Sequence, residues 1–331
     1  MPQSTGGSTA LIILNYNSAD DTLNCIDSVL KHNTAPVKFV VVDNGSSASG
    51  EVAMLIDGMK ARFGERLTAL DDSSDVPSAL TEATLLLSAT NDGYARGNNK
   101  GLTLAETDAE VTHIMILNSD IIFVDDIIPH LLGEMQRLDD CAIICPVLLT
   151  ADGKSIDYNC ARSESRVADM IRNNFLHYFY RMAGKDDDDF LRHRHLLRHQ
   201  EKELPAVMPI ELPSGSCMLA PKEVFSTIGG FDPNTFLYYE EDILYRKLQP
   251  LGLRNYICTG LRCIHLGATS TKKVVSLKVL EASRRSQRYY VEHYSGASRP
   301  LKAVYRASLA FHAATTRLQK FLKHHSRHNA H

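Results

Sequence analysis

Three stretches of the chain share one pattern, in which an apolar run passes into a short polar turn. They are Ala10 to Asn17 (ALIILNYN), Lys38 to Gly45 (KFVVVDNG) and His113 to Asp120 (HIMILNSD). Strands that are apolar on both faces are typical of a parallel sheet covered by helices on each side. Between the first two runs, Ser18 and Asp20 can cap a helix that reaches to about His32. This order predicts a right-handed strand, helix and strand crossover.

The polar turns place carboxylates where ligands of such a sheet bind, beyond the carboxyl ends of the strands. Asp120 is predicted at this rim, in the position of a residue that meets a metal-bound pyrophosphate. Asp43 ends the second strand and can accept hydrogen bonds from a ribose or a base. Taken alone, each turn is more often only an ordinary turn or helix cap.

Residues Asn91 to Gly101 read NDGYARGNNKG, with glycines four residues apart. This spacing is neither the dinucleotide fingerprint nor the P-loop, which argues against hydride transfer. The segment offers flexible backbone at Gly93, a phosphate fork at Arg96 and amides at Asn91 and Asn98. A helix is predicted from Asn98 through Glu106.

The second half holds three consecutive acids, Glu240, Glu241 and Asp242, in a helix predicted over Phe236 to Leu248. At helical spacing Glu241 shares a face with Leu237, Leu244 and Leu248. A carboxylate on an apolar face is desolvated, which raises its pKa and makes it a candidate general base. Asp242 and Arg246 are four residues apart and are predicted to form an exposed pair. A solvated acidic helix start explains Glu240 and Asp242 equally well.

A single histidine, His265, lies between apolar residues in the run Leu253 to Ser270. A lone histidine in such a run is more often a core residue than a metal ligand. Its role therefore depends on the acids around it.

Together these motifs resemble the family 2 glycosyltransferases, the inverting nucleotide-sugar enzymes of GT-A fold, and most of all their rhamnosyltransferase-like and galactofuranosyltransferase-like branch. The resemblance spans Ala10 to Ser270 in the family's order. The motifs that carry it are ILNYN, VVVDNGS, NDGYARGNNKG, ILNSD, LPSGSCML, GGFDPNTFLYYEED and IHLGATS.

The resemblance implies a role for particular residues. The nucleotide sugar is expected at Asn15, Tyr16, Asn17, Asp43, Asn44, Asn91, Gly93, Arg96, Asn98, Asn118 and Asp120. A Mg²⁺ or Mn²⁺ ion is expected at Asp120 and His265. The acidic pair falls on Glu240 and Glu241, of which the second is the base. The chain departs from the family twice, with Asn118 in place of the first metal-motif carboxylate and Glu241 in place of an aspartate.

The implied architecture is an α/β protein with a Rossmann-like, mostly parallel mixed sheet flanked by helices. We predict a loose tail over residues 1–9, a GT-A domain over 10–270 and a basic helical extension over 271–331. Residues 155–209 are poorly patterned and include the acidic run Asp186 to Asp189. They are interpreted as a mobile loop, or as a lid or acceptor-binding insertion.

The composition bears on the location of the protein in the cell and on the state of its cysteines. The 331 residues are 44% hydrophobic, with no apolar run of membrane-spanning length and no signal peptide, which predicts a cytoplasmic protein that is soluble or peripheral on the inner face of the membrane. The seven cysteines are odd in number and lack paired C-x-x-C spacing. That pattern favours reduced thiols over structural zinc.

Charge is divided unevenly along the chain. From Thr271 to His331 there are 13 lysines and arginines against two glutamates, so this extension carries +11 and the preceding residues carry −14. An apolar stripe runs along it, interrupted by Ser308 and Thr315. Its members are Leu301, Val304, Tyr305, Phe311, Leu318 and Leu322. The stripe suits an anionic membrane surface, or packing against the acidic domain or a second subunit. Nucleic acid is not expected as a partner, because no recognition motif accompanies the charge.

The resemblance thus implies inverting transfer of a sugar from dTDP-rhamnose or a UDP-sugar to a saccharide or lipid-linked acceptor, in surface polysaccharide synthesis. Two alternatives stay open. A sugar-nucleotide nucleotidyltransferase would favour a basic activation loop near the first strand, and Ser18 to Asp27 supplies none. A non-catalytic saccharide-binding protein would keep the fold without needing Glu241.

Overall fold

The crossover unit predicted at the start of the chain is present in the computed structural model, which describes residues 7–182, 192–199, 204–267 and 277–328. Strand β1 (Ser8–Asn15), helix α1 (Ala19–His32) and strand β2 (Val37–Asn44) follow one another, and the two strands pair in parallel. Ser18 occupies the N-cap position of α1, but the first amide of the helix, that of Ala19, donates to the Glu51 carboxylate instead.

The other elements alternate between strands and helices over most of the chain. The strands are β3 (Leu67–Asp71), β4 (Ala83–Ser88), β5 (Val111–Asn118), β6 (Ile121–Phe123), β7 (Cys141–Leu149), β8 (Ala161–Arg162), β9 (Val207–Ile210), β10 (Leu212–Pro213), β11 (Cys217–Pro221) and β12 (Arg254–His265). The helices are α2 (Glu51–Phe63), α3 (Gly93–Thr107), α4 (Ile127–Met135), α5 (Val167–Met182), α6 (Lys222–Ile228), α7 (Glu240–Leu248), α8 (Leu277–His293) and α9 (Arg299–His328).

Ten of these strands form one sheet in the order β3-β4-β2-β1-β5-β11-β7-β12-β6, with β9 also paired to β12. The first five are parallel, β11 is antiparallel to both of its neighbours, and β12 is again parallel to β7. Strands β6 and β9 run antiparallel to β12. The predicted mostly parallel mixed sheet is confirmed.

Strand β1 shows why the apolar runs are continuous. Leu11 and Ile13 enter a core shared with α1, α2 and α4, while Ala10 and Ile12 enter the core on the other face with α3 and α6. All four side chains are fully buried. Because successive side chains point to opposite faces, a strand covered on both faces needs apolar residues throughout.

Two predicted helix starts are wrong. Helix α3 begins at Gly93 and not at Asn98. Its glycine-rich start packs directly on β1, since a Cβ at Gly97 would lie 2.5 Å from Leu14. Helix α7 begins at Glu240 and not at Phe236. Tyr238 and Tyr239 take φ values of 70° and 72°, and this left-handed backbone cannot continue a helix.

The region predicted as a loop or insertion over 155–209 contributes to the folded body. Strand β8 pairs with β10, and Cys160 and Ala161 belong to the main core. Helix α5 follows within the same region. The acidic run Asp186 to Asp189 lies outside the described residues.

The predicted helical extension begins at α8, and helix α9 packs along α5. Tyr290, Val291 and Tyr305 are fully buried in a cluster with Val167 and Ile243. One face of the extension therefore packs against the acidic domain. Residues 1–6 and 268–276 and the side chains of Leu318 and Leu322 lie outside the described part. Among the described helices, none combines the length and the apolar character needed to cross a membrane.

Candidate active site

A cavity of about 320 Å³ opens at the carboxyl ends of β1, β2 and β5, where the parallel strands of the sheet converge on one edge. This is the edge at which ligands bind to sheets of this type. The cavity is lined by Leu14, Tyr16, Ser18, Asp21, Asn44, Asn91, Gly93, Tyr94, Asn118, Ser119, Asp120, Phe236, Leu237 and Val279.

Some of the residues expected to bind the nucleotide sugar line this cavity and others do not. Those that line it are Tyr16, Asn44, Asn91, Gly93, Asn118 and Asp120. Asn15, Asn17, Asp43, Arg96 and Asn98 are not among its lining residues.

Asn15 and Asp43 form a buried pair beneath the cavity. Asn15 is fully buried and donates to Asp43 Oδ1 at 2.7 Å, while its own carbonyl oxygen accepts from Ser18 and Thr22. Asp43 is 2% exposed and also accepts from both the hydroxyl and the amide of Ser46. These contacts hold the turn together beneath the cavity, and the direct nucleotide contact expected of the two residues stays a prediction.

Three further residues expected to bind the nucleotide sugar form hydrogen bonds with backbone groups instead. Asn17 has a left-handed φ of 53° and accepts hydrogen bonds from the amides of Ser47 and Ala48. Arg96 is exposed, and its Nε donates to the Pro233 carbonyl at 2.8 Å, away from the cavity. Asn98 is fully buried and donates to the Tyr94 carbonyl. The phosphate fork predicted at Arg96 is therefore not part of this cavity.

Other lining residues were not predicted. Ser18 and Ser119 join the first and third polar turns through a contact of 3.1 Å between their hydroxyl oxygens. Both lie within polar turns that are evident in the sequence, so their position near the cavity could have been predicted from those turns. Val279 reaches the cavity from helix α8, and no sequence motif links this distant segment to the sheet edge.

The expected metal residues meet at one corner of the site. Strand β6 pairs antiparallel with β12, with His265 opposite Ile121, and this register brings the ring of His265 to Asp120. His265 Nε2 lies 3.5 Å from Asp120 Oδ2, and Nδ1 lies 3.0 Å from Asp157 Oδ2. Burial opposes protonation of the ring, but the hydrogen bonds and charges of the two aspartates prevail and raise the pKa of His265 to about 9.

This corner supplies two ligands of suitable chemistry. A carboxylate oxygen and an imidazole nitrogen at this separation suit Mn²⁺, and Mg²⁺ less well because it prefers oxygen ligands. Nothing in the described ranges forms a group of three or more histidine, cysteine or acidic side chains arranged to hold a metal ion. Asp120 and His265 therefore fit an ion whose other ligands come from substrate phosphate and water.

The acidic triplet is arranged differently from the helical-wheel prediction. Glu240 is 4% exposed and Asp242 is 3% exposed, whereas the side chain of Glu241 is 18% exposed. Burial, assisted by the charge of Glu241, raises the pKa of Glu240 to about 8. The desolvated acids are thus Glu240 and Asp242, and not Glu241. Helix α7 starts at Glu240, so Leu237 is not on it. The remaining leucines do not distinguish the two glutamates, because Glu240 also shares a face with Leu244.

The exposed pair predicted between Asp242 and Arg246 is also wrong. Asp242 accepts a hydrogen bond from the Ser165 amide at 2.8 Å and lies 3.8 Å from Arg194. Burial raises its pKa against the opposing charge of the arginine. Arg246 instead forms an ion pair with Glu164. Asp242 therefore anchors the start of α7 to the segment before α5.

Glu241 faces the turn that precedes β11. Its Oε1 accepts a hydrogen bond from the Gly215 amide at 2.9 Å and lies 3.6 Å from Arg162. A Cβ at Gly215 would lie 2.9 Å from Glu241 Oε1 and 2.8 Å from the Tyr94 hydroxyl, so the turn requires glycine for this close approach.

The same turn reaches the cavity through Asn118. The Asn118 amide donates to the Ser216 carbonyl at 2.9 Å, and the Asn118 side chain donates to the Ser216 hydroxyl at 3.0 Å. The Ser214–Ser216 turn therefore contacts Glu241 through Gly215 and the cavity-lining residue Asn118 through the adjacent Ser216.

The family model described as glycosyl transferase family 2 matches residues 10–196, more than half of the chain. The chain belongs to glycosyl transferase family 2. The matched range includes Asp43 and Asp120 but ends before Glu241 and His265.

Two curated relatives of this family 2 glycosyltransferase are similar over part of their length. The low-salt glycan biosynthesis hexosyltransferase Agl10 of Haloferax volcanii is 24% identical over 239 residues, which are 72% of this chain and 60% of the relative. The N-acetylglucosaminyl-diphospho-decaprenol L-rhamnosyltransferase of Mycobacterium tuberculosis is 30% identical over 112 residues, 34% of this chain and 36% of the relative. The chain thus spans less than two thirds of either protein.

A solved structure shares the fold of this family 2 glycosyltransferase. The crystal structure of GalNAc-T7 with UDP, GalNAc and Mn²⁺ superposes with a TM-score of 0.56 at 12% identity, covering 92% of this chain and 55% of the other. The similarity at this identity concerns the fold, which is of GT-A type.

Proposed function

We propose that this protein is an inverting, metal-dependent glycosyltransferase in which Glu241 is the general base. One observation carries the proposal: the Ser214–Ser216 turn holds Glu241 on one side and Asn118 of the cavity on the other. The same turn therefore fixes the position of the base relative to the donor cavity. A fixed relative position of reacting groups is the main requirement for a displacement between two bound substrates.

In the proposed step, Glu241 takes the proton of an acceptor hydroxyl while the hydroxyl oxygen bonds to the anomeric carbon of the donor. The bond from that carbon to the diphosphate oxygen breaks, and the diphosphate leaves with the electron pair. Because Oε1 is held by Gly215, Oε2 is the oxygen that accepts the proton. A single displacement from the opposite face inverts the anomeric configuration.

Asp120 and His265 would hold a divalent cation, which when bound supplies positive charge to the diphosphate leaving group. The presence of UDP and Mn²⁺ in the GalNAc-T7 structure supports the use of a divalent cation. The role of this chain's own residues is orientation. Asp157 accepts the Nδ1 proton of His265, so Nε2, on the side of Asp120, is the nitrogen that would give up its proton to bind the cation.

The cavity lining suits a nucleotide sugar. Tyr16 is 40% exposed and presents an aromatic ring for a base, while Asn44 and Asn91 provide amides near the turn. Asn44 is itself fixed by hydrogen bonds to Asn91 and to the Gly93 carbonyl. We therefore assign donor binding to the lining residues and the support of their turns to Asn15, Asn17, Asp43 and Asn98.

The donor and acceptor are proposed from the relatives' names. A hexosyltransferase of glycan biosynthesis and a rhamnosyltransferase that acts on a decaprenol-linked sugar favour transfer of rhamnose or another hexose. As donor we propose dTDP-rhamnose or a UDP-sugar. The same names favour a saccharide or lipid-linked saccharide as acceptor. We therefore propose that the protein acts at the inner face of the cell membrane.

The test is an assay of nucleoside diphosphate release from dTDP-rhamnose and UDP-hexoses with Mn²⁺, Mg²⁺ or a chelator, each with and without a lipid-diphosphate sugar acceptor. We expect release that requires metal and increases with acceptor, and a product of inverted anomeric configuration by NMR. Donor binding by thermal shift without turnover would instead support a saccharide-binding protein. Retention of configuration would contradict the proposed displacement.

A further inference from the structure

Two consecutive tyrosines shortly before the base have a left-handed backbone. Tyr238 and Tyr239 take φ values of 70° and 72°, a conformation that residues with a Cβ rarely adopt. Such strain persists only where the surrounding structure holds the residues in place, and it is concentrated at functional sites. The Tyr238 side chain is 45% exposed, whereas Tyr239 is half-buried. The turn therefore presents one aromatic ring to solvent, three residues before Glu241.

Contacts on both sides of Tyr238 hold this turn in place. On the side of the sheet, the Tyr94 amide of α3 donates to the Phe236 carbonyl at 2.8 Å. On the side of α8, the Tyr239 hydroxyl accepts a hydrogen bond from Gln287 at 2.6 Å. The neighbours of Tyr238 are thus fixed, while its own ring stays exposed.

Tyr238 lies between the donor cavity and the base along the chain. Phe236 and Leu237 line the cavity of about 320 Å³, and Tyr238 is not among its lining residues. Burial and the negative charges of Glu240 and Glu241 raise the pKa of the Tyr238 phenol, so its hydroxyl lies within the field of both carboxylates. The ring therefore borders the space beside the base, where the acceptor hydroxyl must lie in the proposed reaction.

We propose that Tyr238 forms an acceptor subsite, in which its ring stacks on a face of the sugar that carries the attacking hydroxyl. The subsite rests on the proposed function, because it takes Glu241 as the base. A sugar ring is apolar on the faces formed by its C–H groups and polar at its rim. It can therefore pack on an aromatic ring while its hydroxyls remain available to the base. Because the turn is fixed, stacking would hold one hydroxyl at a constant position relative to Glu241.

The acceptor fits this position better than the donor does. The donor nucleotide is assigned to the residues that line the cavity, among which Tyr16 presents the ring for the base. The proton that Glu241 removes belongs to the acceptor. An exposed ring outside the cavity lining and beside Glu241 therefore serves the acceptor sugar.

Steady-state kinetics with the lipid-diphosphate sugar acceptor separates this role from donor binding. Tyr238→Ala should raise the KM for acceptor about tenfold, because the sugar loses its stacking surface. The KM for donor and the donor hydrolysis seen without acceptor should change little. Tyr238→Phe keeps the ring and should retain the acceptor KM of the unchanged protein. Tyr16→Ala should show the opposite pattern, with a raised KM for donor.

Phe311→Ala is the matched control, since Phe311 is an aromatic residue of α9 that is 39% exposed and lies outside the cavity lining. It should leave both KM values unchanged, and thermal unfolding should show that all variants are folded. Tyr238→Asn provides a second variant without the ring, because asparagine tolerates a left-handed backbone better than alanine does. It should match Tyr238→Ala in its acceptor KM.

Saturation-transfer NMR with methyl hexosides, in the presence of nucleoside diphosphate and Mn²⁺, measures sugar contact without turnover. We expect saturation of the sugar C–H protons by the unchanged protein and by Tyr238→Phe, and its loss with Tyr238→Ala. Equal saturation by Tyr238→Ala, or an acceptor KM equal to that of the unchanged protein, would overturn the proposal. So would an equal loss in Tyr238→Phe, which would assign the effect to the hydroxyl. Saturation that depends on Tyr238 in a protein without transfer activity would support the subsite and contradict the proposed function.

Discussion

His265 lies between two aspartates, with Nδ1 at 3.0 Å from Asp157 Oδ2 and Nε2 at 3.5 Å from Asp120 Oδ2. Asp157 comes from the turn before β8, in a region whose sequence pattern suggested only a loop or insertion. A carboxylate on one ring nitrogen fixes the tautomer and the orientation of the ring, and so prepares the other nitrogen to bind a metal. The pKa of Asp157 is lowered because hydrogen bonds from His265 and Asn159 outweigh its burial.

We therefore expect Asp157→Ala to weaken binding of Mn²⁺ in the presence of nucleoside diphosphate by about 10-fold to 100-fold, the usual effect of losing such an orienting carboxylate. Asp157→Asn, which keeps an acceptor oxygen, should lose less. Isothermal calorimetry measures the affinity directly and needs no turnover. Asp139→Ala, at an exposed residue outside the site, is the control. Equal affinity in Asp157→Ala and the unchanged protein would show that Asp157 does not orient the ligand.

Glu241→Gln should lower kcat by at least about 10²-fold, the lower range for loss of a general base, with little change in donor binding. The glutamine keeps the shape and can still accept from the Gly215 amide, so the loss reports on proton transfer. Glu223→Gln, on the exposed side of α6, is the matched control. Asp242→Asn should act on thermal stability more than on kcat, because Asp242 is buried and bonded to Ser165. Near-normal turnover by Glu241→Gln would remove Glu241 from the mechanism.

Gly215→Ala tests whether the Ser214–Ser216 turn positions the base Glu241. The added methyl would lie 2.9 Å from Glu241 Oε1 and 2.8 Å from the Tyr94 hydroxyl, so the carboxylate must shift. We expect kcat to fall by at least about tenfold, since small displacements of a catalytic group are costly. The KM for donor should change little. Gly133→Ala on α4, where nothing lies within 4 Å of the added atom, should be neutral. Normal kcat in Gly215→Ala would show that Glu241 need not occupy this position.

The strand ends were predictable from the sequence, because each apolar run identifies a buried strand and the polar turn after it identifies where that strand ends. Asp120 lies at the predicted sheet edge for that reason, and Asn118 lines the cavity beside it. Asp157 was not predictable, because its partner His265 is 108 residues away and neither lies in a shared pattern.

The acidic triplet shows a second limit of sequence reasoning. The helical wheel assumed that α7 starts at Phe236, and the left-handed tyrosines Tyr238 and Tyr239 remove its first turn. Burial in α7 is also decided by segments distant in sequence, such as Ser165, which bonds to Asp242. The periodicity of the helix alone could not identify Glu240 as a desolvated acid.

Glu240 gives a prediction on the pH dependence of stability. Burial and the neighbouring charge of Glu241 raise its pKa to about 8, from an unfolded value of 4.5. Below the unfolded pKa both states hold the proton, so the group has no effect. As pH rises from there to the folded pKa, the unfolded state releases the proton and the native state keeps it. The free energy of unfolding then falls, by up to about 1.4 kcal/mol for each pH unit.

Glu240→Gln removes this titration while keeping the volume and a neutral side chain. We therefore expect the variant to gain stability relative to the unchanged protein as pH rises from 4.5 to about 8, and the gain to level off above that range. Urea unfolding across the range measures the difference in free energy, which cancels the titration of groups common to both proteins. Glu223→Gln, at an exposed carboxylate, should show no such trend. A constant difference between Glu240→Gln and the unchanged protein at every pH would show that burial does not raise the pKa of Glu240 in the native state.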